Sequence, residues 1–270
     1  MPTIVVLVKN VPDTWSEKSL EEDYTLLRDS SDSSVDNVID EVNQYAVEQA
    51  LRIKEADPEA GYRVVVLSAG PEEADKALRT ALAMGADDAI HLCDERMAGS
   101  DVLGTAWALT SAIRTIDDVQ LVIAGSASSD GASGAVPGII AEYLPAAALT
   151  HLKSVSVADG VVRGVRETSA GEWELEASLP AVISVGEQAD RPRYPNFKGL
   201  AAAKKATITR LQLENIGVLE NQVGLAHAAT AVTAAETREA RGAGTIIRDN
   251  DPAATAAAIA DFLDERSLLK

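Results

Sequence analysis

The sequence predicts an α/β fold: a doubly wound, mostly parallel sheet with an appended antiparallel section and a C-terminal arm. Three observations carry that expectation. Apolar, β-branched runs recur at 3–9, 63–69 and 119–125, with a shorter one at 89–92. Unbroken runs of this length suit strands covered on both faces. Helical patterns separate them, and alternating strands and helices build a parallel sheet through right-handed crossovers. After about residue 145 the pattern changes to short runs around an Asp-Gly dipeptide, the mark of an antiparallel hairpin.

The elements follow in order. Val38, Val42, Tyr45, Ala46, Gln49 and Ile53 fall on one helical face. Pro71 opens the next helix, and Glu72 and Glu73 sit in a first turn whose free N–H groups favour negative charge. Ala77, Leu78, Ala81 and Leu82 supply its buried stripe, and Gly85 closes it. Ser100 or Asp101 caps a third helix, with Leu103, Trp107 and Thr110 along a face. A fourth runs from about 135 to 144. Runs at 153–157 and 161–167 flank Asp159-Gly160, a type I′ turn in which both central residues need positive φ. In 172–177, Trp173, Leu175 and Ala177 face one way and Glu172, Glu174 and Glu176 the other. A further apolar strand lies at 181–186. No linker interrupts this stretch, so 1–206 is expected to form one α/β domain. Residues 207–270 form an extension, poor in periodicity over 226–244. It closes with a helix capped by Asp251-Pro252, with Ile259, Phe262 and Leu263 as an apolar face. An arm lying on a partner and a plain tail are both open at this point.

Composition excludes several function classes. The chain carries 42 acidic and 24 basic residues, a net charge of -18. Such a surface repels nucleic acid, although a local pocket of backbone amides still accepts a single nucleotide. Cys93 is the one cysteine, which rules out an intrachain disulfide and a cysteine-rich metal site. His91, His151 and His227 are scattered without metal-ligand spacing. There is no Walker loop and no nucleophile elbow, so no catalytic residue is assigned. The start has neither a basic n-region nor a long apolar stretch, so the expectation is a cytoplasmic protein without membrane insertion.

Sheets of this kind bind ligands beyond the carboxyl ends of their strands, which points to the loops after Lys9, Ala69 and Gly125. The last of these reads Gly125, Ser126, Ala127, Ser128, Ser129, Asp130, Gly131, Ala132, Ser133, Gly134, Ala135, Val136. Its glycines let backbone approach a ligand, its serines offer hydroxyls, and the helix that follows offers free N–H groups. Together they make a phosphate cradle. With no lysine or arginine nearby in the sequence, a mono- or diphosphate is favoured over a triphosphate. Asp130 would repel phosphate, so it is expected to cap backbone N–H groups or to meet a sugar hydroxyl.

A second segment stands out. Residues 191–205 gather five cations, two prolines and two aromatics, in a chain only 4% aromatic. Pro192 and Pro195 bar a regular helix or central strand there. An ordered loop is expected, with Tyr194 and Phe197 either docking into a partner or tucking back into the chain's own core.

These pieces resemble the beta subunit of electron-transfer flavoprotein, over nearly the whole chain. The matching stretches are Val-Leu-Val-Lys-Asn-Val-Pro-Asp at 6–13, Ala-Val-Glu-Gln-Ala-Leu-Arg-Ile-Lys at 46–54 and Thr-Ala-Leu-Ala-Met-Gly-Ala-Asp at 80–87. The loop from Gly125 matches too, as does Pro-Arg-Tyr at 192–194, followed by lysines. The likeness is greatest to the actinobacterial branch. It implies a Rossmann-like, adenine-nucleotide-binding fold in a heterodimer whose alpha subunit carries most of one FAD. It also implies a structural AMP, met by Leu7, Asp40, Glu41, Val42, Asn43, Ala69 and the residues from Gly125 to Val136. Pro12, Asp13, Thr14 and Trp15 would approach the flavin. The docking loop at 186–205 would use Arg191, Arg193, Tyr194, Pro195, Asn196 and Phe197, with Phe197 as the anchor. The 207–270 extension would pack on the alpha subunit. Electrons would arrive from acyl-CoA and other dehydrogenases, as in fatty acid oxidation, and leave to a membrane quinone oxidoreductase, with no catalysis by the polypeptide itself.

The loop departs from the family's usual glutamine-containing form, and Phe197 stands where well-known members have leucine. Two alternatives remain at this point. One is an electron-bifurcating form with a second FAD in the AMP place. The loop shares Asp130-Gly131 with that form and then diverges, which favours AMP. The other is a free-standing ATP-binding stress-type protein.

Overall fold

The structure is a computed structural model that describes residues 1–16, 18–28, 36–236, 242, 244–248 and 251–269. It divides into two units, Met1–Thr233 and Ala234–Lys270. In the first, β1 (Thr3–Leu7) is wholly buried and alternates its side chains between two cores. The chain then forms a short antiparallel ribbon from β2 (Asn10–Pro12) and β3 (Asn37–Ile39), followed by α1 (Glu41–Ala56). β4 (Arg63–Ala69), α2 (Asp75–Met84) and β5 (Asp88–Leu92) step outward on one side of β1. α3 (Val102–Ile113) carries the chain back to β6 (Val119–Gly125), on the other side of β1. This reversal puts a topological switch point at the carboxyl ends of β1 and β6, where α/β sheets open a crevice.

After α4 (Val136–Tyr143), β7 (Ala147–Ala158), β8 (Val161–Thr168) and β9 (Gly171–Ser178) form an antiparallel meander. The β7–β8 turn has φ of 53° at Asp159 and 72° at Gly160, as the dipeptide predicted. β10 (Ala181–Val185) then inserts between β6 and β7, parallel to both. α5 (Phe197–Lys205) and β11 (Ile208–Leu211) follow, and β11 pairs parallel to β5. Among the described residues the main sheet has nine strands in the order β11-β5-β4-β1-β6-β10-β7-β8-β9. The α/β expectation is met.

One core packs Ile4, Val6, Val64, Val66 and Ile123 against Ala46, Val47 and Ala50 of α1 and Leu78 and Ala81 of α2. The other packs Val5, Leu67 and Val122 against Ala106 and Leu109 of α3 and Ile140 of α4. Burying the aliphatic side chains of both sheet faces is the main stabilising term, at about 25 cal/mol per Å2 of apolar surface.

Three local features differ from the sequence reading. Val38 lies in β3, before the helix whose face it was expected to share. Residues 197–205 are helical, because both prolines precede Asn196, whose side chain caps the Gly199 N–H at 2.8 Å. Beyond that cap the Ala-Lys sequence favours helix. The chain past residue 206 also stays with the first unit, since β11 adds an edge strand. Leu213, Val218 and Val223 enter the second core.

In the second unit, α6 (Pro252–Glu265) is capped by Asp251, and none of its residues is buried. Part of the expected extension, at 237–241, 243, 249–250 and 270, lies outside the described residues.

Asp101 caps α3 by accepting from Leu103 N at 3.1 Å and Gly104 N at 3.0 Å. Its other oxygen accepts from Ala229 N at 2.8 Å and Thr230 N at 3.1 Å. Asp101→Ala should therefore lower stability by about 2 kcal/mol, the upper end for a cap, as read by denaturant unfolding.

Candidate functional site

β6 ends at Gly125 because backbone must pass close to α1 there. A Cβ at this position would lie 2.6 Å from Val42 Cγ1 and 2.7 Å from Asn43 Nδ2. The loop is then held from two sides: Ser129 N donates to Oδ2 of Asp40, the residue that opens α1, at 2.8 Å, and Ser126 N donates to O of Val185 at the end of β10 at 2.8 Å. The start of α1 also holds the end of β1, where Lys9 N donates to Asn43 Oδ1 at 2.7 Å and Asp40 N donates to Lys9 O at 2.9 Å. Gly131, Ala132 and Ser133 form an exposed crest, and Gly134 (φ 63°) turns the chain toward α4. Leu7 and Ala69 end the adjacent strands β1 and β4. The crevice thus gathers Leu7, Asp40, Val42, Asn43 and the loop. Glu41 is exposed.

Asp130 is the buried centre of this loop, its side chain 1% exposed. It pairs with Lys9 Nζ at 2.7 Å and with Arg28 Nη2, and accepts from Gly131 N at 2.6 Å. Lys9 Nζ also reaches Ser128 Oγ at 3.3 Å. The expectation of a loop without nearby cations is therefore corrected: Lys9 and Arg28 come from distant parts of the chain. Burial pushes the Asp130 carboxyl up, but the charges and hydrogen bonds of Lys9 and Arg28 outweigh it and hold the group well below the usual carboxylate range. Burial pushes the Lys9 ammonium down against the pull of Asp130. Asp40, desolvated and close to Asp130, is raised despite the Ser129 hydrogen bond. Asp130 does cap a backbone N–H, as anticipated, but its main partners are cations. Sequence reading missed both. A lysine closing an apolar strand that leads into a crevice was the available signal for Lys9, whereas Arg28 has none.

Near this site, Arg28 Nη1 donates to Asn10 O at 3.0 Å and Asn37 Nδ2 donates to Arg28 O at 2.8 Å, which ties the β2–β3 ribbon to the loop. Pro12 is buried in β2. Asp13 Oδ1 accepts from Trp15 N at 2.9 Å, Thr14 is exposed, and Trp15 stands 95% exposed.

The segment 191–197 is attached elsewhere, further along α1. Arg193 Nε donates to Glu48 Oε2 at 2.8 Å, Nη2 donates to Glu48 Oε1 at 3.1 Å and to Glu55 Oε2 at 2.9 Å, and its backbone N donates to Glu48 Oε2 at 3.1 Å. Tyr194 and Phe197 are 95% and 88% exposed, so neither tucks into the core. Arg191 and Asn196 are exposed and Pro195 is half-buried.

Fold and crevice together define a Rossmann-like α/β protein with a crevice at its switch point and a separate aromatic face. Residues 30–215 match the electron transfer flavoprotein domain. The electron transfer flavoprotein subunit beta of Mycobacterium tuberculosis is 52% identical over 252 residues, covering 92% of this chain and 93% of that protein. The subunit of the same name from Megasphaera elsdenii is 32% identical, covering 92% of each. Subunit CarD of the caffeyl-CoA reductase-Etf complex of Acetobacterium woodii is 30% identical, covering 98% of this chain and 99% of that protein. The chain belongs to the electron-transfer flavoprotein family, as a beta subunit. It is thus an electron-transport protein of a flavoprotein family whose beta subunits work with an alpha subunit, and the free-standing stress-type reading is set aside. Among the described residues no helix is long and apolar enough to cross a membrane.

Two variants check the crevice. Gly125→Ala should destabilise by about 2 kcal/mol, because backbone and α1 must separate to admit the methyl group; thermal unfolding reads this. Asp130→Asn should cost about 2 kcal/mol at pH 7. That is less than the ~3–5 kcal/mol of a fully buried pair, since Lys9 and Arg28 keep contact with water. A carboxyl lowered by folding contributes stability that is full above its unfolded value of about 3.9 and is lost as pH falls through the folded value. The cost of Asp130→Asn should therefore shrink between pH 7 and pH 3 in denaturant titrations.

Proposed function

We propose that this beta subunit passes electrons from acyl-CoA and other dehydrogenases to a membrane quinone oxidoreductase, through one FAD held mainly by an alpha subunit. The observation that carries this reading is the pair Tyr194 and Phe197, large aromatics left in water on a segment clamped by Arg193. Exposed aromatics on a fixed backbone cost little entropy to bury, so they suit brief docking to several partners. Phe197 is the anchor, and Arg191, Pro195 and Asn196 frame it.

The crevice residues fit a nucleotide monophosphate. Ahead of α4 the turn at Ser133 and Gly134 offers backbone N–H groups where a phosphate is stabilised, while those of Gly131 and Ala132 are taken by Asp130 and by Ser128 O. Lys9 and Arg28 share the Asp130 carboxylate, which leaves the three groups one net positive charge and supports AMP over a more highly charged nucleotide. In this reading Asp40, Val42, Asn43, Leu7 and Ala69 shape the walls. AMP has a structural role, filling the switch point and holding the loop from Gly125 to Val136.

The exposed Trp15, whose backbone N–H is held by Asp13 and which follows the exposed Thr14 and the buried Pro12, suits one wall of a flavin site completed by the alpha subunit. FAD, when bound, supplies the redox chemistry by accepting and releasing electrons. The chain's own residues orient that wall and exclude water from it. No side chain is needed as general acid or base, so we read the subunit as a carrier without catalysis of its own. We place it in the cytoplasm and assign residues 207–270, apart from β11, Leu213, Val218 and Val223, which complete the chain's own sheet and core, to contact with the alpha subunit.

Co-production with the alpha subunit, followed by extraction of bound nucleotides, should yield one FAD and one AMP per heterodimer. Two FAD and no AMP would replace AMP by a second flavin. Phe197→Ala should raise the dehydrogenase concentration needed for half-maximal flavin reduction about tenfold, with flavin content and unfolding midpoint unchanged. Unaltered reduction kinetics would remove the docking role.

A further inference from the structure

We propose that Glu48, in the middle of α1, is the positioning residue for the docking segment: it holds Arg193 so that Tyr194 and Phe197 are presented before a partner arrives. The proposal rests on the docking reading above and adds the device that makes docking efficient.

Glu48 is a carboxylate that the fold buries, 3% exposed, on a helix whose neighbouring positions fill an aliphatic core. Such a group is costly unless its acceptor sites are met. Three come from one residue, the backbone N, Nε and Nη2 of Arg193, and Arg52 Nε adds a fourth at 3.1 Å. The planar guanidinium meets both Glu48 oxygens, a fork geometry that fixes orientation as well as distance. Its remaining edge is held by the more exposed Glu55. Burial pushes the Glu48 carboxyl up, and the Arg193 and Arg52 contacts overcome this and keep it ionised.

The contact lies one residue from Tyr194 and four from Phe197. Pro192 and Pro195 stiffen the backbone on either side, and the Asn196 cap starts α5 at Phe197. Gly199 lets α5 close onto the Ala83 carbonyl, and Arg79 Nη1 donates to Ala203 O at 2.7 Å. The aromatics thus leave a segment fixed on both sides, with Glu48 as its one buried charged anchor. Presetting this geometry removes ordering cost from each encounter. Purely apolar packing would not fix the segment in the same way, because neither aromatic touches the core.

The test uses the heterodimer with an acyl-CoA dehydrogenase and its substrate as electron donor, comparing Glu48→Gln, Glu55→Gln and Phe197→Ala. Glu48→Gln keeps the shape and removes the charge. It should raise the dehydrogenase KM about fivefold, leave kcat and the flavin absorption spectrum unchanged, and speed amide hydrogen exchange at 190–197. Glu55→Gln should act in the same direction, more weakly, and stands in if Glu48→Gln fails to assemble. Combined with Phe197→Ala, Glu48→Gln should add nothing to KM, since a missing anchor no longer benefits from placement. An unchanged KM in both glutamine variants, beside a raised KM in Phe197→Ala, overturns the clamp and leaves docking intact. Unchanged KM in all three overturns docking itself. A fall in kcat at unchanged KM would make Glu48 part of electron transfer and also overturn the proposal.

Discussion

Everything that distinguishes this subunit depends on where α1 lies. Its first turn meets the end of β6 so closely that only glycine fits at position 125. That approach brings Asp40 and Asn43 within hydrogen-bond distance of the loop and of the end of β1. Further along, Glu48 and Glu55 take hold of Arg193. One helix therefore fixes both the crevice and the aromatic face, and it is itself fixed by Ala46, Val47 and Ala50 against the sheet. The small residues let helix and strand backbones come close, and close packing leaves little freedom to shift.

Charge is used in an unexpected way for so acidic a chain. The basic residues that matter most face inward: Lys9 and Arg28 onto Asp130, Arg193 onto Glu48 and Glu55. Each cluster joins segments far apart in the chain. Such pairs add little net stability beyond the desolvation they repay, but they are intolerant of losing one member. Their contribution is to choose one arrangement of loops that apolar packing alone would leave loose. In the docking role proposed above, fixed and exposed aromatics gain over a softer surface, because contact area is then offered without an ordering step.

Most of the fold was legible in the chain. Aliphatic runs, proline and glycine punctuation, the Asp101 cap and the Asp159-Gly160 turn all act over a few residues, so their effect shows in local spacing. The glycine- and serine-rich loop was legible for the same reason, and its place after a strand carried the switch point with it. The helix at 197–205 was less legible because the two prolines dominate the reading of the segment, although both lie before its cap. β11 was missed because a four-residue, half-exposed edge strand lacks a clear pattern.

What the sequence by itself determined is the α/β alternation, the antiparallel meander, the glycine- and serine-rich loop after β6 and the presence of rare aromatics beside the two prolines. Only the tertiary structure decided that Tyr194 and Phe197 point outward, that Lys9 and Arg28 neutralise Asp130, and that Glu48 is the partner of Arg193. The physical reason is range along the chain. Periodicity and turn chemistry are set by neighbours in sequence. An ion pair is set by distance in space, and the residues joined here are separated by more than a hundred positions, with nothing in between that encodes the meeting.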